Sequence, residues 1–177
     1  MTNEQKEAFY LRVGDFEGFR SQPYYCPAGH LTIGFGHRIR DSERKRYSLA
    51  KLTFKQAYDL LVSDFTEVFN FLAKQDFILQ EHELFALADL AFNVGCDTLA
   101  SRPLFERVRQ YNKALLANEH KKADELCTYI SQRFLAYCHY KRNNKVYTST
   151  GLLARRRFDS CLWLGDFYAL KECVTDR

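Results

Sequence analysis

Residues 17–37 read Glu17-Gly18-Phe19-Arg20-Ser21-Gln22-Pro23-Tyr24-Tyr25-Cys26-Pro27-Ala28-Gly29-His30-Leu31-Thr32-Ile33-Gly34-Phe35-Gly36-His37. Five of the chain's eight glycines and two of its three prolines lie between Gly14 and Gly36, so this is its turn-rich stretch. Within it, Leu31-Thr32-Ile33-Gly34-Phe35 has strand composition with glycine breaks and follows the turn signal Pro27-Ala28-Gly29, which predicts a small, twisted antiparallel sheet.

Outward from this stretch the punctuation stops. No glycine or proline occurs from His37 to Val94 or from Leu104 to Thr150, which leaves room for long helices. Thr53-x-x-Gln56 is a capping-box pattern, and behind it Ala57, Leu60, Leu61, Phe65, Val68 and Leu72 recur at helical spacing, predicting one amphipathic helix over 54–73. Further helices are predicted over about 3–15, 81–94, 102–112, 119–138 and 150–164, with Pro103 and Gly165 marking two of the ends. The fold class is α+β, mostly helical, with one short β region near the N-terminus. The 177 residues make a single domain: a β-containing lobe over about 15–53, a connecting helix over about 54–73, and a helical lobe over about 74–177 that also takes the N-terminal helix.

Composition narrows the function. The chain is 46% hydrophobic and 27% charged, enough apolar surface for a globular core. No apolar run exceeds five residues, which excludes a transmembrane span, and the polar start Met1 to Glu7 lacks a secretory apolar segment, so a cytoplasmic origin is expected. Six cysteines, with no Cys-x-x-Cys pair, read mostly as small buried hydrophobes. The net charge of +4 is unevenly placed. From Leu126 to Phe158 there are seven cations (Arg133, Lys141, Arg142, Lys145, Arg155, Arg156, Arg157) and no acid, and a second basic cluster, Arg38 to Arg46, has Asp41 and Glu43 interleaved. An anionic polymer fits such a distribution; so does a basic face that only solvates the surface.

Glu17 places a carboxylate at the end of a predicted helix beside a glycine and apolar neighbours, where partial desolvation suits it to donate a proton. The segment Glu17-Gly18, then Tyr25-Cys26 with Cys26 nine residues after Glu17, then Thr32-Ile33-Gly34-Phe35-Gly36-His37, closely resembles the signature of the phage-type lysozymes, the endolysins of glycoside hydrolase family 24. Two later segments resemble that family as well: Phe92-Asn93-Val94-Gly95, and Gly151-Leu152-Leu153-Ala154-Arg155-Arg156-Arg157-Phe158-Asp159.

The resemblance implies a two-lobe lysozyme fold with glycan bound between the lobes, and hydrolysis of the β-1,4 bond between N-acetylmuramic acid and N-acetylglucosamine through an oxocarbenium-like transition state. It assigns Glu17 as general acid and Thr32 as the residue that orients water. Cys26 stands where many members carry aspartate; an ordinary thiol titrates near about 8.5, so a thiolate could serve as base or nucleophile while a neutral thiol could not. Arg155 matches an arginine that positions the acid and holds the lobes together, with Arg156 and Arg157 read as a helix's polar face. His37 and Asn93 match supporting residues, His37 as a buried hydrogen-bonded ring and Asn93 as a helix-end cap or a backbone contact beside the cleft. The implied enzyme uses no cofactor and no metal, acts as a monomer, inserts stably in no membrane and binds no nucleic acid. It is made in the host bacterial cytoplasm and reaches peptidoglycan in the periplasm through a holin-type pore.

Other chemistries fit less well. Gly34-x-Gly36 lacks a third glycine and a βαβ setting, Cys26, His30 and His37 match no common zinc spacing, and no Gly-x-Ser-x-Gly elbow is present. The alternative is a lysozyme-like domain that binds glycan or an envelope protein with little turnover because Cys26 replaces the usual aspartate. Cleavage by intramolecular transglycosylation would use the same acid.

Overall fold

The computed structural model describes residues 1–26, 29–142 and 145–170. They fall into two compact units: residues 2–67, and residues 68–170 with Met1.

The first unit opens with helix α1 (Asn3–Glu17), started by a capping box in which the Gln5 N–H donates to the Thr2 hydroxyl and the Thr2 N–H to the Gln5 side chain. It stops at Gly18, whose φ of 74° a side chain would disfavour and whose N–H returns to the Gly14 carbonyl. The sheet follows in order β1 (Arg20–Tyr25), β2 (Leu31–Gly34), β3 (His37–Arg38), all antiparallel, with Tyr24 opposite Thr32 and Ile33 opposite His37. The register shifts between Arg20 and Tyr24, around Pro23, which cannot donate to a ladder. Of the predicted turn Pro27-Ala28-Gly29, Pro27 and Ala28 lie outside the described residues. A short 3-10 turn (Asp41–Glu43) and helix α2 (Arg44–Tyr47) lead to α3 (Phe54–Ala73), whose residues to Glu67 belong to this unit. The Thr53/Gln56 box is formed reciprocally at 2.8 and 3.2 Å, and Ala57, Leu61 and Phe65 are buried. Ile33, Ile39 and Tyr47 form a core cluster, with Leu31, Ala50, Leu52 and Leu60 packed on it.

The N-terminal helix belongs to this unit and not with the helical part, a correction to the expected boundary. Its buried residues account for the difference: Phe9 meets Phe65 edge to face at 5.4 Å, and Gly14 lies so close to Phe35 that a Cβ there would stand 3.2 Å from the ring.

The second unit contains α4 (Glu81–Val94), α5 (Cys96–Ala100), α6 (Pro103–Leu116), α7 (His120–Phe134), a 3-10 turn (Leu135–Cys138), a hairpin of β4 (His139–Arg142) and β5 (Lys145–Thr148), α8 (Thr150–Trp163) and a last 3-10 turn (Phe167–Leu170). Helix α4 is buried from Phe85 to Ala91 and packs on α8, while α6 pairs with α7 and α7 with α8. Trp163, fully buried, sits 5.9 Å from both Tyr111 and Phe134. The hairpin corrects the expectation of a single β region. Its sequence signal is β-type residues on both sides of Asn143-Asn144, a two-residue spacing that glycine and proline punctuation does not reveal.

Candidate active site

The first unit brings Glu17, Cys26 and Thr32 onto one scaffold. Glu17 is the last residue of α1, half-buried, and a Cβ on Gly36 would lie 3.2 Å from its Oε2. Gly36, at φ 84°, therefore serves two needs: a left-handed backbone and room for the carboxylate. Gly34 does the same toward α3, where a Cβ would meet that of Ala57 at 3.3 Å. These two close approaches explain the Gly34-Phe35-Gly36 spacing.

One carbonyl ties the other two residues together. The His30 oxygen accepts from the Cys26 backbone N–H at 2.9 Å and from the Thr32 hydroxyl at 2.9 Å. With its proton committed to His30, the Thr32 oxygen presents lone pairs, the arrangement needed to accept a hydrogen bond from water. Thr32 is buried at 4% exposure, so its rotamer is fixed by packing; Cys26 is half-buried.

Tyr24 joins this group, although the sequence reading assigned it no role. It stands opposite Thr32 in the ladder, with the Arg20 guanidinium 5.9 Å from its ring. Burial pushes its hydroxyl up, and the charges of Glu17 and Cys26 add in the same direction against Arg20, so it stays a neutral proton donor at pH 7. The sequence signal was its position two residues before Cys26, which puts the two on the same face of an extended strand.

His37 is buried at 6% exposure, with Nδ1 2.9 Å from both Asp64 oxygens and Nε2 3.3 Å from Glu43. Burial disfavours the charged ring, but the bond to Asp64 and the charges of Asp64 and Glu43 outweigh it and hold its proton affinity above the ordinary imidazole value. Glu43 also accepts from the Arg40 backbone N–H, and the Arg40 guanidinium pairs with Glu67. Both ring nitrogens are thus engaged with carboxylates, an arrangement that fixes β3 to α3.

Arg155 and Asn93 lie in the second unit. Arg155, 3% exposed, grips the fully buried Asp89 through two bonds, Nε to Oδ2 at 2.9 Å and Nη2 to Oδ1 at 2.7 Å. Arg156, expected on a polar face, is instead fully buried, 3.4 Å from Asp89 and 3.0 Å from Asp159. The reason is the helix period: Arg155, Arg156, Phe158, Asp159, Leu162 and Trp163 form the buried face of α8, and Arg157 is exposed. Burial opposes ionisation of Asp89, but the arginines hold its carboxyl below the usual carboxylate range. Burial and the nearby Asp89 charge push Asp159 well above that range. Asp89 was legible as a lone carboxylate amid the apolar run of α4, a residue type rarely buried without a partner. Asn93 is half-buried in the last turn of α4, and the helix end is closed by Gly95, whose N–H returns to Ala91, in place of the expected asparagine cap. Of the described cysteines only Cys138 is buried; Cys26, Cys96, Cys127 and Cys161 are half-buried, against the expectation that most would be buried.

A sequence profile of phage lysozyme matches residues 14–158. An endolysin of Acyrthosiphon pisum secondary endosymbiont phage 1 is 27% identical over 153 residues, covering 84% of this chain and 89% of the relative. Among solved structures, the muramidase domain of SpmX from Asticaccaulis excentricus superposes with a TM-score of 0.71 at 22% identity, covering 89% of this chain and 95% of that one. An endolysin from the Escherichia coli phage FAHEc1 gives 0.63 at 23% identity, covering 89% and 90%. With the profile running through the Glu17 helix end, the glycine-broken sheet and the Asp89–Arg155 pair, the chain belongs to the phage lysozyme family, and with it to the glycoside hydrolases that act on peptidoglycan.

Proposed function

We propose that this protein hydrolyses the β-1,4 bond between N-acetylmuramic acid and N-acetylglucosamine, with Glu17 as general acid. The observation that carries the reading is the His30 carbonyl, which locks Cys26 and Thr32 to one point of the same sheet that seats Gly36 against Glu17. Glu17 gives its proton to the glycosidic oxygen as the bond from the anomeric carbon breaks. Water held by the Thr32 oxygen adds to that carbon from the opposite face, and its proton passes to the Cys26 thiolate, so configuration inverts. Tyr24, which feels the charges of both Glu17 and Cys26, stays neutral through this exchange. In this reading the protein works as a monomer and reaches the wall from the host cytoplasm through a holin-type pore. Among the described residues no helix is long and apolar enough to cross a membrane.

The test is incubation of the protein and its Glu17→Gln variant with isolated peptidoglycan, followed by mass spectrometry of the released sugars. Reducing muramic-acid ends are expected from the wild type, with a loss of about a hundredfold or more in the variant. Anhydro ends would replace hydrolysis by transglycosylation, and binding without cleavage by the wild type would overturn the reading.

A further inference from the structure

The second basic cluster of the sequence, Arg38 to Arg46, is not used by the hydrolytic site, and the structure divides it. Arg40 is neutralised by Glu67 at 2.6 Å and Arg44 by Asp41 at 2.9 Å. Arg46 turns the other way, its guanidinium 4.9 Å from the Tyr47 ring centre, and lines a cavity of about 460 Å³ between α2, the segment after it, and one face of α3. Lys51 supplies a second cation to the same cavity. Among the described residues no carboxylate pairs with either. The acid in the wall, Asp59, is held by Lys55 at 2.9 Å.

The floor carries apolar side chains. Tyr47, a member of the core cluster with Ile33 and Ile39, lines it together with Leu52 and Leu60, which pack against that cluster. Ser63 adds a hydroxyl, and Gln56, whose carbonyl oxygen is committed to the α3 cap, adds an amide donor. A concave site of this size with an apolar floor, two unneutralised cations and neutral donors suits a small ligand that carries carboxylates beside short apolar groups. A phosphate polymer would use the cations and leave the floor unused.

From this we infer that the cavity binds the short acidic peptide carried by the peptidoglycan glycan, its carboxylates on Arg46 and Lys51 and its alanine methyls on Leu52 and Leu60. This rests on the peptidoglycan reading of the function, and it makes the cavity a second contact with the wall that holds the enzyme on peptide-bearing strands.

The experiment titrates the full chain with a soluble stem tetrapeptide containing alanine, glutamate and a diamino acid, followed residue by residue by NMR. Inorganic phosphate is titrated separately. Shifts centred on Arg46, Lys51, Leu52 and Leu60 that saturate with peptide support the inference. So does a loss of affinity of about fivefold for each of Arg46→Gln and Lys51→Gln, the size expected of an exposed ion pair. Ser63→Trp, which fills the cavity and leaves both cations, should abolish binding; unchanged binding in that variant would show diffuse charge attraction and overturn the site. Equal shifts with phosphate and peptide, or shifts elsewhere only, overturn it as well. In wall assays the Arg46→Gln/Lys51→Gln double variant should raise KM on intact peptidoglycan and leave kcat and the KM for peptide-stripped glycan unchanged. Peptide binding by a chain that cleaves no wall would sink the hydrolase reading and leave the cavity; cleavage with no peptide binding would do the reverse.

Discussion

Gly36 shows how one hydrogen atom can decide a site. At φ 84° it occupies backbone space that a side chain disfavours, and its missing Cβ is the space into which Glu17 Oε2 reaches. Gly36→Ala therefore carries two penalties. The backbone strain costs about 1–2 kcal/mol of stability. The displaced carboxylate lowers kcat by about tenfold or more, since sub-ångström misplacement of an acid weakens proton transfer. Gly29→Ala separates the two: Gly29 has φ 80° and nothing within 4 Å of its missing Cβ. It should lose comparable stability in thermal melts and keep its activity on peptidoglycan; equal activity losses in both variants would refute a specific role for Gly36. Glycine spacing was legible in the sequence, but which atom each glycine admits was not, because that depends on partners distant along the chain.

At the level of elements, the His37 cluster ties strand β3, the Asp41–Glu43 turn and α3 together. Its sign with pH follows from the two shifts. His37 binds its proton more tightly folded than unfolded, so its contribution is fully present below about 6.5 and is lost as pH rises through the higher folded value. For Glu43, burial opposes ionisation, but the Arg40 N–H and the His37 charge hold it below 4.5, so its contribution is present above that value and is lost as pH falls. The part of the urea midpoint that this cluster supplies should therefore be level between these limits, so that any slope there comes from other groups. Asp64→Asn should flatten the alkaline limb and keep the acid limb; an unchanged alkaline limb would remove His37 as its source. The elements themselves were unequally readable. Helix α3 announced both its capping box and its buried stripe, whereas the β4–β5 hairpin carries neither glycine nor proline, and β5 is exposed along its whole length, Val146 and Tyr147 included. The partners of His37, Asp64 and Glu43, were unreadable because the pairing arises only when α3 folds beside the sheet.

Across the whole molecule, the basic excess is partly internal. Arg155 and Arg156, counted from sequence as part of a basic run, are buried against Asp89 and Asp159, so the exterior is less cationic than the run suggests. Two arginines and two carboxyls in one dry site would be near neutral if all were ionised, yet the carboxyls oppose each other. Asp89 is the more acidic of the two because Arg155 grips both of its oxygens; burial and the Asp89 charge push Asp159 well above the usual carboxylate range. Asp159 binds its proton more tightly folded than unfolded, so this group lowers stability as pH rises above about 3.8 toward the higher folded value. Asp159→Asn keeps the size and a hydrogen-bond donor but removes the proton requirement. It should raise the melting temperature at neutral pH and change it little in acid. Asp89→Asn removes the ionised partner of two buried arginines and should cost about 3–5 kcal/mol. If Asp159→Asn were as damaging at neutral pH as Asp89→Asn, both aspartates would have to be ionised in the folded protein, and the division of charge between them would be wrong.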